Sequence, residues 1–94
     1  MRLSPEEKSA VVDAVLRFDP EARIYLFGSR VDDRQKGGDI DLLIFSSRLT
    51  FRDKLKIKAV LFEKIEEQKV DLIIAKDSKD PFVRVALKKG VRLN

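Results

Sequence analysis

Three β-prone runs, with one long helical segment between the last two, constrain this chain more than any other feature. The runs lie at residues 24–27, 39–45 and 70–75, each rich in Ile, Leu, Val or aromatic residues. Residues 50–68 between the last two read as a helix that places Phe51, Leu55, Ala59, Phe62 and Ile65 on one face. Strands that flank a helix are expected to be parallel and joined by a right-handed crossover. The first two strands are separated by a polar, Gly-containing loop at residues 30–38 and are expected to be antiparallel neighbours.

The ends complete the layout. Ser4-Pro5-Glu6-Glu7 opens a helix, with Ser4 as cap, Pro5 at the first helical position and Glu7 placed for a capping box. Val11, Val12, Val15, Leu16 and Phe18 form its apolar stripe, and Asp19-Pro20 ends it. Asp80-Pro81 starts a last helix in which Phe82, Val83, Ala86 and Leu87 share a face. Lys88 and Lys89 suit its C-terminal end, and Gly90 suits a left-handed stop. Residues 91–93 then suit a short closing strand. The order α-β-β-α-β-α-(β) implies an α/β (α+β) fold with a small mixed sheet, helices mainly on one face, and a single domain over residues 1–94. In such a layout Leu43, Phe45 and Ile73 share strand faces with Asp41 and Asp71 and need a cover, while Ile57 and Val60 fall off the helical stripe.

The chemistry open to the chain is narrow. Its 94 residues contain no Cys and no His, which excludes thiol nucleophiles, imidazole bases, disulfides and Cys/His zinc sites. Catalysis here must rest on carboxylates, hydroxyls, lysines, arginines or a bound metal. No apolar stretch approaches the roughly 20 residues that span a bilayer, and the N-terminus lacks a signal-peptide core, so no membrane role and a cytoplasmic location are expected. A net charge of +4 fits either a polyanionic partner or lysines that keep the domain soluble.

Asp is poorly suited to a strand interior, yet Asp39-Ile40-Asp41 leads directly into Leu42-Leu43-Ile44-Phe45. Alternation along a strand points Asp39 and Asp41 to one face, with α-carbons about 6–7 Å apart. Like charges so close disfavour joint ionisation unless a cation lies between them, and hard divalent ions favour oxygen ligands. Asp71 in Val70-Asp71-Leu72 repeats the anomaly and can join the same side if its strand lies beside the second. The alternative, that each Asp merely ends or caps a strand, is plausible for one such residue and strained for three. Gly28-Ser29 ends the first strand in a turn whose N–H groups and hydroxyl can approach a phosphate.

Gly28-Ser29-Arg30, a short loop, and then Gly38-Asp39-Ile40-Asp41-Leu42 resemble the signature of the DNA polymerase β-like nucleotidyltransferase superfamily. The chain's size, Val70-Asp71-Leu72 and the closing Ala86-Leu87-Lys88-Lys89-Gly90 resemble its minimal nucleotidyltransferase (MNT) branch. The resemblance implies a palm-like nucleotidyltransferase fold, in which Asp39, Asp41 and Asp71 are catalytic carboxylates and metal ligands. It assigns Gly28, Ser29 and Arg30 to the nucleotide phosphates, although Arg30 suits a loop salt bridge equally well. The cofactors it implies are Mg²⁺, as two ions with Mn²⁺ as a substitute, and a nucleoside triphosphate, ATP above all. Gly38 stands where many minimal members have Ser, and residues 31–36 depart from the branch's usual loop sequence.

Members of the branch pair with HEPN-domain proteins in toxin–antitoxin modules, so the resemblance implies a HEPN partner and transfer of AMP to it. Within these 94 residues no separate acceptor-holding domain is expected, which points the same way. Two alternatives stand beside enzymatic transfer. One is a binding antitoxin that acts by occlusion within a homo- or hetero-oligomer. The other is nucleic-acid binding through Lys54, Lys56, Lys58, Lys88, Lys89 and Arg92, which lack the aromatic interleaving of a stacking surface.

Overall fold

Ser4 begins the first helix as its side chain and sequence neighbours require. In the computed structural model, which describes residues 1–34, 38–65 and 69–94, its hydroxyl accepts from Glu7 N–H while Glu7 accepts from Ser4 N–H. This reciprocal capping fixes the start of α1, Pro5–Phe18. The chain then forms β1 (Arg23–Phe27), a 3-10 turn (Gly28–Val31), β2 (Ile40–Phe45), α2 (Phe51–Lys64), β3 (Val70–Ala75), α3 (Pro81–Lys89) and β4 (Val91–Arg92). The order is the expected one, with β2 starting one residue after Asp39. Thr50 caps α2 through a second capping box with Asp53. The expected end of that helix at residues 66–68 lies outside the described residues.

The sheet runs β3-β2-β1-β4. β2 and β3 are parallel, whereas β1 is antiparallel to both β2 and β4. Alternation divides the strand side chains between two packed layers. Ile24, Leu26, Ile40, Leu42, Ile44 and Leu72 pack with Val11 and Val15 of α1 and Ile57 and Leu61 of α2. On the opposite face Leu43 and Phe45 pack with Val83 and Ala86 of α3. Of the three α-helices among the described residues, two therefore share one face and one covers the other. The apolar surface of Leu43 and Phe45, expected to need a cover, receives it from α3.

The buried face of α2 differs from the expected one. Of the expected stripe Phe51, Leu55, Ala59 and Phe62 are exposed and Ile65 is buried, beside the fully buried Ile57 and Leu61. The helix carries two apolar stripes, and the aliphatic one fills the space above the sheet. Phe62→Lys is thus expected to change stability by no more than about 0.5 kcal/mol, as surface substitutions do. Ile57→Ala should cost about 2–5 kcal/mol through the cavity it leaves. Urea melts of the two variants measure both, and a larger loss for Phe62→Lys would reverse the assignment.

Three polar details tie the ends. Gly90 closes α3 in an extended conformation rather than the expected left-handed one. Its hydrogen is required by crowding, since a Cβ there would lie 2.8 Å from the Ala86 carbonyl oxygen and 3.1 Å from that of Leu26. Asn94 accepts from Ile24 N–H at 2.9 Å and donates to the Ala22 carbonyl at 2.8 Å, pinning the start of β1. Asp19, buried at the end of α1, accepts a 2.5 Å hydrogen bond from the Ser46 hydroxyl and another from Glu21 N–H.

The Ser46 hydroxyl is the main cause holding the Asp19 carboxyl below its ordinary pKa, against the opposing effect of burial. An acid whose pKa falls on folding contributes stability above its unfolded value, about 3.9, and loses it as pH falls through the folded value. Ser46→Ala should therefore cost about 1–3 kcal/mol near pH 7 by leaving a buried acceptor short of a partner. Thermal melts should also show the variant losing less further stability than wild type below about pH 4. No described helix is long and apolar enough to cross a membrane.

Candidate active site

The parallel register of β2 and β3 sets Asp41 directly beside Asp71. The antiparallel register of β1 sets Phe27 opposite Asp41, so that Gly28, the next residue, lies against the Asp41 carboxylate. A side chain at Gly28 would run into Asp41 Oδ2, and the backbone there has φ +77°, which disfavours any residue but glycine. The Gly-Ser turn and the carboxylates, distant in sequence, are thus one surface. They sit at one end of the sheet face that α3 covers farther along, over Leu43 and Phe45.

Burial is the largest of the effects that push the Asp41 carboxyl above its ordinary range. The neighbouring charges of Asp71 and Asp39 and a side-chain hydrogen bond to Asp71 add to it, while Lys69 opposes them. Asp39 lies just before β2 with Oδ2 3.7 Å from Lys69 Nζ. Among the described residues no group of three or more acidic side chains forms a ready-made metal cage: Asp41 and Asp71 make a pair, and Asp39 faces a lysine. The donor chemistry still fits a hard divalent cation. The available ligands are carboxylate oxygens, and Asp41 is in a setting whose like charges a cation would relieve.

Ser29 lies in the 3-10 turn, close to Gly38. Gly38 has φ +90°, and a side chain there would collide with the Ser29 hydroxyl. The lack of a side chain at Gly38 thus gives Ser29 its room. Arg30 donates to the carbonyls of Gly38 at 3.2 Å and Arg2 at 3.0 Å, and lies 3.9 Å from Glu7. Its guanidinium thereby ties the turn to the N-terminal segment. Residues 35–37 of the intervening loop lie outside the described residues.

Three residues near the site were not read as part of it from the sequence. Arg2 donates to the carbonyls of Ser29 and Asp32, strapping the turn from the other side. Lys69 supplies the cation beside Asp39, and its place two residues before Asp71 was the available signal. Phe82, at the start of α3, packs edge-on against Phe27 at 6.0 Å and keeps an exposed ring.

No curated protein is significantly similar to the chain. A family model described as "Polymerase beta, Nucleotidyltransferase" matches residues 17–94, from the last turn of α1 through β4. That span contains every carboxylate of the site together with the Gly-Ser turn, and the small mixed sheet with its three helices agrees with such a fold. The chain belongs to the polymerase β nucleotidyltransferase family.

Proposed function

We propose that the chain is an MNT-type enzyme that transfers AMP from ATP to a hydroxyl of a HEPN-domain partner, acting as the antitoxin of the pair. The observation that carries this reading is the juxtaposition of Gly28 with Asp41 and of Asp41 with Asp71. It sets a glycine turn against paired carboxylates. Asp39, Asp41 and Asp71 would hold Mg²⁺, as two ions, with Mn²⁺ able to replace it. When bound, these ions neutralise triphosphate charge and lower the pKa of the attacking hydroxyl.

The residues' own parts follow from their placement. The N–H groups of the Gly28-Ser29 turn and the Ser29 hydroxyl bind phosphate oxygens. Asp71, beside Asp41 on the neighbouring strand, receives the proton of the acceptor hydroxyl. The acceptor oxygen bonds to the α-phosphorus, the bond from that phosphorus to the bridging oxygen breaks, and pyrophosphate leaves. Positioning and charge neutralisation supply most of the rate in such transfers, so a site without His or Cys suffices.

The test is incubation with ATP labelled at the α-phosphate, Mg²⁺ and the protein of the adjacent gene. Label should appear on that protein with wild type and be absent with Asp39→Asn/Asp41→Asn. No transfer by wild type, or equal transfer by the variant, refutes the reading. A second reading, neutralisation by occlusion without chemistry, is favoured by the exposed apolar stripe of α2. It predicts full protection of cells by the same double variant.

A further inference from the structure

The exposed stripe of α2 borders β3, an edge strand of the sheet. Phe51, Leu55 and Phe62 are 71%, 52% and 74% exposed, an unusual alignment of large apolar side chains on a small domain. Two clefts of 280 Å³ each mark the ends of the groove between α2 and β3. Phe51, Lys54 and Lys76 line one; Phe62, Lys58 and Lys69 line the other. Each end thus includes one phenylalanine and two lysines in its lining. At 1.5 Å per residue the two phenylalanines are about 16–17 Å apart, three helical turns.

We propose that this groove docks an acidic amphipathic helix of a partner protein. Its apolar face would cover Phe51, Leu55 and Phe62, with carboxylates near each end meeting the paired lysines. Charge selects this occupant over a second copy of the chain. From Phe51 to Lys64 the helix carries five cations (Arg52, Lys54, Lys56, Lys58, Lys64) against two acids (Asp53, Glu63), and the whole chain is +4. Two such helices face to face would repel, whereas an acidic helix would be steered in. The groove also adjoins the carboxylate site, because Lys69 lines its far end and lies 3.7 Å from Asp39. Resting on the proposal that a partner protein supplies the acceptor, this docking brings that acceptor beside the site.

The probe is a fluorescein-labelled 16-residue amphipathic peptide with Leu on one face and Glu flanking it, alongside a twin with Lys in place of Glu. Fluorescence anisotropy with the full chain should show binding of the acidic peptide alone, weakened at least tenfold by Phe51→Ala/Phe62→Ala or by Lys54→Glu/Lys58→Glu. Circular dichroism verifies that these surface variants stay folded. Binding without nucleotide or metal, and undiminished in Asp41→Asn, separates the groove from the transfer reaction, so either can fail alone. Absence of acidic-peptide binding, equal binding of the Lys twin, or unchanged affinity in both variants overturns the proposal. So does a concentration-dependent dimer in sedimentation that Phe62→Glu dissolves, since the occupant would then be a second copy.

Discussion

Asp41→Asn is expected to abolish nucleotidyl transfer and, at the same time, to raise the melting temperature of the metal-free chain. Burial and the charges of Asp71 and Asp39 raise the carboxyl's pKa in the folded state. Below the unfolded value of about 3.9 both states are protonated and the group is neutral in its effect. As pH climbs through the folded value, the native state carries a charge it disfavours and stability falls. Asn keeps the shape and removes the charge. Solvent screens a partly exposed carboxylate, so the rise expected at pH 7 is small. The difference should vanish below about pH 4, where wild type is itself protonated. Mg²⁺ with ATP should reverse the order by stabilising wild type alone. Calorimetry across pH measures all three effects. A variant less stable than wild type at pH 7 without metal would contradict the electrostatic account.

Gly28→Ala should damage both stability and activity, by a different route. A non-glycine residue held at φ +77° costs about 1–3 kcal/mol, and here the new methyl also meets the Asp41 carboxylate. A loss on the order of 10 °C in melting temperature follows from about 2 kcal/mol. Relief of the collision requires Asp41 or the turn to move, and displacement by about 1 Å can cost on the order of 100-fold in rate. Because Asp41→Asn enlarges nothing, Gly28→Ala should remain destabilising in that background. Chemical melts of both single variants and the double variant decide this, and a stable, active Gly28→Ala enzyme would show that the turn does not press on the site.

The elements with local signals were readable from the sequence. Ser4-Pro5-Glu6-Glu7 specified its capping box, and the two crossover strands their parallel pairing. Asp41 and Asp71 betrayed themselves by standing in strands, where Asp has no conformational reason to be. The face of α2 was not readable, because Phe51, Leu55, Ala59 and Phe62 have the same helical periodicity as the buried Ile57, Leu61 and Ile65. Periodicity identifies a stripe, but the volume available above the sheet decides which stripe is buried. The cover that α3 gives Leu43 and Phe45, the Asp19–Ser46 bond and the Asn94 clasp depend on contacts between distant residues. The Gly38 and Arg2 carbonyls that meet Arg30 come from other segments and were likewise not legible.

The central claim is that the Gly28-Ser29 turn and the three aspartates form one metal–nucleotide site. Titration of Mn²⁺, followed by electron paramagnetic resonance in the presence of a non-hydrolysable ATP analogue, tests it most directly. Wild type should bind Mn²⁺ with the analogue, Asp41→Asn and Asp71→Asn should each lose at least tenfold in affinity, and Lys58→Glu on α2 should retain it. Equal Mn²⁺ binding by wild type and both aspartate variants would contradict the assignment.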